Sequence, residues 1–256
     1  MSEILKITTE GRICQILMNR PDKKNALTLT MYQGLTDAML AADANPEVRV
    51  IMLGSTGDSF CAGNDIADFI AASSQPDAIK VPLFFLQTLA SLATPIIAVV
   101  PGAAVGIGTT ILLHCDMVIA SDQARFQLPF ARLGLVPEGG SSLLLPQLVG
   151  HRRAFELLVM GDSFSAETAQ TLGLVNRVET AQDLAERALL DGTKLAALAP
   201  EAVRQSKAML RSHSQSQLEA VLVAEVKQFA ERLKSEEARE ALMAFMQKRE
   251  PDFSRF

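Results

Sequence analysis

Glu138 stands in Leu135-Val136-Pro137-Glu138-Gly139-Gly140-Ser141-Ser142, the lone charged residue between Arg132 and His151. An acid in apolar surroundings has its charged form disfavoured and its pKa raised, which suits proton transfer. Its Pro and Gly neighbours predict a loop just before a helix starting near Ser141. An exposed glutamate beside a helix N-terminus fits the same residues, since the helix dipole favours an anion there. The spacing alone leaves both readings open. Two further stretches, Phe60-Cys61-Ala62-Gly63-Asn64-Asp65 and Gly102-Ala103-Ala104-Val105-Gly106-Ile107-Gly108, each follow an apolar run and consist largely of small residues. Such loops let a backbone approach a ligand closely. Where they feed helices they present unpaired N–H groups, and two of these converging hold a developing oxyanion. Tight turns and close helix packing ask for the same glycines.

The remaining titratable residues point less clearly to chemistry. His114 ends an apolar helix and reads as a satisfied core residue; His151 and His213 lie at helix ends and read as solvated. No Ser-His-Asp set follows from their order. Asp65 and Asp116 follow apolar segments and read as structural hydrogen-bond acceptors. A dinucleotide fingerprint fits poorly, because Gly106-Ile107-Gly108-Thr109-Thr110-Ile111 lacks the third small residue and lies past residue 100.

Strands and helices alternate around these residues. Ile4–Thr8 and Ile13–Met18 predict a hairpin turning at Gly11, followed by a polar loop Arg20–Asn25. Thr28–Ala42 predicts a helix capped by Thr28 or Thr30. Val48–Gly54, Ile96–Val100 and Met117–Ala120 predict buried strands. Ser55–Asp65 and Pro101–Gly108 are expected as loops, and Lys80–Ala93 and Thr109–His114 as helices. Beyond His151 the pattern is mostly helical, over 153–160, 166–172, 181–197, 201–211, 215–234 and 236–249. This order indicates an α/β class with a largely parallel sheet and a helical C-terminal part.

Composition excludes several classes. The chain has 256 residues, 48% hydrophobic and 21% charged, with a net charge of −5. No basic nucleic-acid footprint exists, and with 5% aromatics and no Trp a base-stacking platform is not expected. Cys14, Cys61 and Cys115 are odd in number and far apart, so neither a disulfide framework nor a zinc site is expected. Val81–Cys115 carries no Asp, Glu, Lys or Arg, but Pro82, Pro95, Pro101 and several glycines break it, which favours a buried core over a membrane span. The N-terminus shows no signal pattern and Ser254-Arg255-Phe256 is no peroxisomal address, so a cytoplasmic location is expected.

Together, Arg20-Pro21 with Asn25-Ala26-Leu27, Phe60–Asp65, Pro95–Val100 with Gly102–Gly108, Cys115-Asp116, and Gly173-Leu174-Val175 resemble the enoyl-CoA hydratase/isomerase (crotonase) superfamily over essentially the whole chain. The resemblance implies a spiral of ββα turns over 1–195 with a helical trimerisation region over 196–256, one continuous unit self-associating as a trimer or dimer of trimers. It implies an acyl-CoA substrate, with coenzyme A part of the substrate and no separate cofactor. It assigns the oxyanion donors to the backbone N–H groups of Asn64 and Ile107, where Ile107 replaces a usual Gly. It places Lys23, Lys24 and Ala26 by the CoA nucleotide, and Ala62 near the pantetheine path, with Gly63, Asp65 and Gly106 in the same loops. Lys248, in the C-terminal helix, is expected to reach a CoA phosphate.

Hydratases of this superfamily carry two glutamates; the matching positions here hold Thr110 and Phe130. Leu133–Ser142 instead resembles the segment of Δ3,Δ2-enoyl-CoA isomerases whose single Glu is the catalytic base, which maps to Glu138. The implied activity is conversion of 3-enoyl-CoA to trans-2-enoyl-CoA, with Phe69–Ile70 and Leu83–Leu86 either lining an acyl pocket or packing the core. A hydratase, another crotonase-type thioester reaction, or a non-catalytic acyl-CoA-binding protein are the alternatives.

Overall fold

In the computed structural model, described over residues 3–68 and 79–256, three apolar runs form the middle of a six-stranded sheet. They are β3 (Val50–Ser55), β5 (Ile96–Val100) and β7 (Met117–Ser121). With β1 (Leu5–Glu10), β2 (Ile13–Met18) and β10 (Arg177–Glu179) the order is β1-β2-β3-β5-β7-β10. Only the β1–β2 hairpin is antiparallel. Both faces are covered, which is why these strands read as continuous apolar runs. Ile51, Leu53, Ile96 and Ala98 face the main core, with α1 (Leu29–Ala44) and α2 (Lys80–Ser91). Their neighbours Val50, Met52 and Ile97 face Leu184, Ala188 and Ala196 of a later helix.

A second sheet, in the order β4-β6-β8-β9, comprises β4 (Ser59–Cys61), β6 (Ala103–Val105), β8 (Arg125–Gln127) and β9 (Phe164–Ser165). Each turn of the chain gives one strand to each sheet: β3 then β4, β5 then β6, β7 then β8. The expected spiral of ββα turns is therefore present. The expectation that Ser55–Asp65 and Pro101–Gly108 are loops is corrected, since each contains a three-residue strand. Three residues are too few to carry a strand signature of their own, and parallel pairing between the two segments makes them strands. β8, β9 and β10 were not expected from the sequence for the same reason: each is two or three residues long.

The helical boundaries hold with local changes. Thr28 caps α1, its Oγ1 accepting from Met31 N at 3.2 Å. The helix expected at Thr109 starts at Ile107: α3 (Ile107–Thr110) continues as a 3-10 turn over Ile111–His114. Then follow α4 (Ser141–Val149), α5 (His151–Phe155) with a π turn over Glu156–Met160, α6 (Ala166–Thr171) and α7 (Leu184–Ala196). The C-terminal part is α8 (Pro200–Ser212), α9 (Gln215–Leu233) and α10 (Glu236–Met246). It is tied to the sheet through Asp116, which takes Ile96 N at 2.8 Å, Lys207 Nζ at 2.8 Å and Arg211 Nη2 at 2.9 Å. The structural role expected of Asp116 is thus seen. No helix among the described residues is long and apolar enough to cross a membrane.

Candidate active site

The two glycine-containing loops meet through β4 and β6, where Cys61 pairs with Ala104. The approach is so close that a Cβ at Gly108 would lie 2.4 Å from the Cys61 carbonyl oxygen; only glycine permits it. The first loop is also stitched to the polar segment Arg20–Leu27. Buried Asn25 donates from Nδ2 to Thr56 O (2.9 Å) and Ser59 O (2.8 Å), and Ala62 N donates to Lys24 O at 3.0 Å. Arg20 reaches Ala26 O at 2.8 Å and Asp65 Oδ2 at 2.9 Å. These contacts bring Lys23, Lys24, Ala26, Ala62, Gly63, Asn64 and Asp65 together. Lys23 and Lys24 are exposed. Asp65 has the structural role read from the sequence: Arg20 and the Asp68 N–H occupy its carboxylate, holding its pKa below the usual range against the opposing effect of burial.

Asn64 forms a parallel bridge with Leu27, in which Leu27 N donates to Gly63 O and Asp65 N to Leu27 O, both at 2.8 Å. That pattern turns the N–H of Asn64 itself away from Leu27. Its side-chain oxygen takes the Tyr32 hydroxyl at 2.6 Å. In the second loop Gly106 N donates to Gln127 O at 2.9 Å and Ile107 opens α3. Among the described residues nothing accepts the backbone N–H of Asn64 or of Ile107. The Ile107 side chain is buried in the main core.

Glu138 is buried, at 8% exposure. The reading of an exposed loop glutamate is therefore excluded. The Thr110 hydroxyl donates to Glu138 Oε1 at 2.7 Å. Burial lifts the Glu138 pKa to about 8; the Thr110 bond opposes this and the negative Glu225 adds to it. Tyr32 and Cys61 sit close enough to feel the Glu138 charge: burial first, then that charge, raises the Tyr32 hydroxyl, and the Cys61 thiol is pushed by burial to about 12. His114 is the core residue expected. Burial lowers it to about 4, so it is neutral, and its Nε2–H donates to Gly139 O at 2.7 Å, directly behind Glu138. Thr110 and Leu86 both stand where a side chain at Gly139 would go.

Other expectations fall outside this assembly. Lys248 is not in the C-terminal helix, which ends at Met246; Lys248 follows it, exposed, with a left-handed φ of 54°. Among the described residues no hydrogen bond or ion pair joins Lys248 to the loops. Phe130, at one position where the resemblance expects an acid, is buried with Leu128 and Leu145. Of Leu83–Leu86, Phe85 and Leu86 belong to the main core while Phe84 is exposed. Phe69 and Ile70 lie outside the described residues.

A family model described as enoyl-CoA hydratase/isomerase matches residues 8–255. The chain belongs to the enoyl-CoA hydratase/isomerase family. Enoyl-CoA delta isomerase 2 of Rattus norvegicus is 36% identical over 250 residues, 96% of this chain and 64% of its own length. The 2,3-dehydroadipyl-CoA hydratase of Escherichia coli K12 is 31% identical over 253 residues, 99% of each chain. A crystal structure of an enoyl-CoA hydratase/isomerase from Pseudoalteromonas atlantica T6c superposes with a TM-score of 0.93 at 40% identity, covering 98% of this chain and 100% of that one. Both isomerases and hydratases are thus relatives, and the family places the chain among acyl-CoA enzymes without choosing the reaction.

In this family member, reading the sequence located Glu138 and both loops but missed Tyr32, the role of Thr110 as a hydrogen-bond donor, and Glu225. Thr110 and Glu138 lie 28 positions apart, and no spacing rule connects them. Glu225 is one of several acids on α9, marked out only by its burial at 7% exposure.

Proposed function

We propose that this enzyme is a Δ3,Δ2-enoyl-CoA isomerase in which Glu138 is the only acid–base catalyst. The observation that carries the reading is the setting of Glu138: a buried carboxyl, hydrogen-bonded by a neutral hydroxyl, with Thr110 and Phe130 where a hydratase would place acids. Ionised Glu138 takes a proton from C2 of 3-enoyl-CoA. The electron pair spreads over C2 to C4 and the thioester oxygen as a dienolate. The N–H groups of Asn64 and Ile107 receive the oxygen's charge, each worth about 3–4 kcal/mol in comparable oxyanion holes. Protonated Glu138 then returns its proton at C4, leaving the double bond between C2 and C3. No water enters and the proton count closes. Hydration, by contrast, needs a second group to position and activate water.

Lys23, Lys24, Ala26, Ala62, Gly63 and Gly106 surround the CoA path in this reading, and Asp65 contributes by holding Arg20 across the loop. Lys248 serves a CoA phosphate from the exposed turn after α10. The protein works in the cytoplasm as a trimer or dimer of trimers, and the thioester needs no separate cofactor.

The test is incubation with a medium-chain trans-3-enoyl-CoA, following trans-2-enoyl-CoA at neutral pH, with Glu138→Gln in parallel. Turnover by wild type and its loss in the variant is the expected result. Formation of 3-hydroxyacyl-CoA from trans-2-enoyl-CoA at comparable rate would overturn the isomerase reading in favour of hydration.

A further inference from the structure

The segment bearing Glu138 is gripped at both ends by one helix. Arg232 Nε of α9 donates to Gly134 O at 3.0 Å, before Glu138. Seven residues earlier on the same helix, Glu225 takes Gly140 N on Oε2 at 2.6 Å and Ser142 N on Oε1 at 2.9 Å, after Glu138. Positions seven apart lie two turns along one helical face. Arg232 also pairs with Glu237 of α10.

Glu225 supplies what the local sequence withholds. The first N–H groups of a helix are normally satisfied by a Ser, Thr, Asp or Asn at the cap. Here the cap position of α4 is Gly140, with φ of 73°. A capping side chain there would be strained by that φ and would have to displace Leu218 Cδ1, which lies 2.5 Å from the place of a Cβ. Burial raises the Glu225 pKa, and the two N–H groups that its oxygens accept work against this by favouring the ionised form, in which both bonds are charge-assisted. It also lies at the positive end of the α4 dipole.

We propose that Glu225 is a positioning residue for Glu138: by capping α4 from α9 it fixes the turn Pro137–Gly140 so that Glu138 meets Thr110. Arg232 is a second grip on the same segment, at Gly134 ahead of that turn. The proposal rests on the reading of Glu138 as the base. The capping carboxylate also has an electrostatic consequence, because it opposes ionisation of Glu138. The groups facing the pair are Tyr32 from α1, Cys61 from β4, Thr110 from α3, neutral His114 through Gly139 O, and Ser142 from α4. Among these groups from the described residues none is a cation.

The experiment uses full-length wild type, Glu225→Gln, Glu225→Ala and Glu138→Gln. Three readouts are taken: hydrogen exchange by mass spectrometry over peptides covering 134–145, the 13C-carboxyl titration of Glu138 assigned by its disappearance in Glu138→Gln, and kcat and KM for trans-3-enoyl-CoA against pH. In Glu225→Gln the amides of Gly140 and Ser142 exchange faster and the Glu138 titration moves to lower pH. The value of kcat above the titration falls about tenfold or more while KM stays within about twofold, as expected when a catalytic group is displaced. The isosteric Gln variant keeps the test alive if Glu225→Ala does not fold. Unchanged exchange or an unchanged titration overturns the positioning role. Exchange and titration that move in a protein whose wild type does not isomerise would reject the isomerase reading while keeping the coupling of Glu225 to Glu138.

Discussion

Glu138 and Glu240 are two carboxyls with equally little exposed surface, 8% and 7%, but Glu138 lies deep in the protein and Glu240 just under its surface. Glu240 is reached by Arg249 at 2.5 and 3.2 Å, by Arg255 at 3.4 Å and by Asp252 N at 3.0 Å, and is held down at about 2, the Arg249 bond being the largest cause. Glu138 has a neutral hydroxyl and a neighbouring carboxylate, and burial carries it to about 8. Depth and partners together separate them: Glu138 lies deep beside a neutral hydroxyl, whereas Glu240 lies near the surface against two arginines. The arginines near the Glu138 region are engaged elsewhere, Arg232 on Glu237 and Gly134 O, and Arg211 on Asp116 and His114 O. Glu240 is a strap that fastens the chain's last residues to α10. Glu138 has no such arginine partner among the described residues, as the proposed base requires.

The largest effect expected from this contrast is on turnover. Glu138→Gln is expected to lower kcat by about 10³-fold, within the range for loss of a positioned acid–base group, while acyl-CoA binding persists in calorimetry. Glu240→Gln, by contrast, is expected to leave kcat within about twofold, since only the strap is touched. Equal losses in the two variants would erase the distinction between base and strap.

The wild-type pH profile sharpens it further. Only ionised Glu138 accepts a proton, so kcat/KM is expected to rise with pH, tenfold per unit, and level off above about 8. A profile already flat from pH 5 upward would mean that Glu138 behaves as an ordinary carboxylate.

Stability gives the two carboxyls opposite signs. The folded pKa of Glu138 lies above its ordinary value of 4.5, so its contribution is complete below that value and is lost as pH rises through about 8. The folded pKa of Glu240 lies below 4.5, so its contribution is present above that value and is lost as pH falls toward about 2. Glu138→Gln is therefore expected to melt with wild type near pH 4 and to be more stable at pH 9, by on the order of 5 kcal/mol. Glu240→Gln is expected to be less stable at pH 7, with the gap closing at low pH. Thermal melts of the three proteins across this range check both slopes.

The contrast also marks how far the sequence could be read. β3, β5 and β7 were legible because a strand buried on both faces must be apolar throughout. β4 and β6 were hidden inside apparent loops, because Ser59–Cys61 and Ala103–Val105 become strands only by pairing with each other. Glu138 stood out as a lone acid in an apolar stretch. Its environment did not: Thr110, Tyr32, Cys61 and Glu225 come from four other elements, and their convergence is a property of the spiral. Lys248 was misplaced because nothing in Met246-Gln247-Lys248 announces a helix end; a lysine takes the left-handed conformation that glycine usually marks.

The smallest effect tests the one hydrogen bond that the Glu138 carboxyl makes among the described residues. The Thr110 hydroxyl donates to Oε1, so it favours the ionised form and works against burial. Thr110→Val keeps the shape and removes the donor. The Glu138 pKa is then expected to rise, and the limb of kcat/KM to move upward by about one pH unit, the worth of one hydrogen bond to a charged group. The plateau above the limb should change little if the hydroxyl only tunes the proton affinity of the base. A plateau that falls with an unmoved limb would instead make Thr110 part of the substrate's surroundings. In that case the low-charge setting of Glu138 would be the work of burial and Glu225 alone.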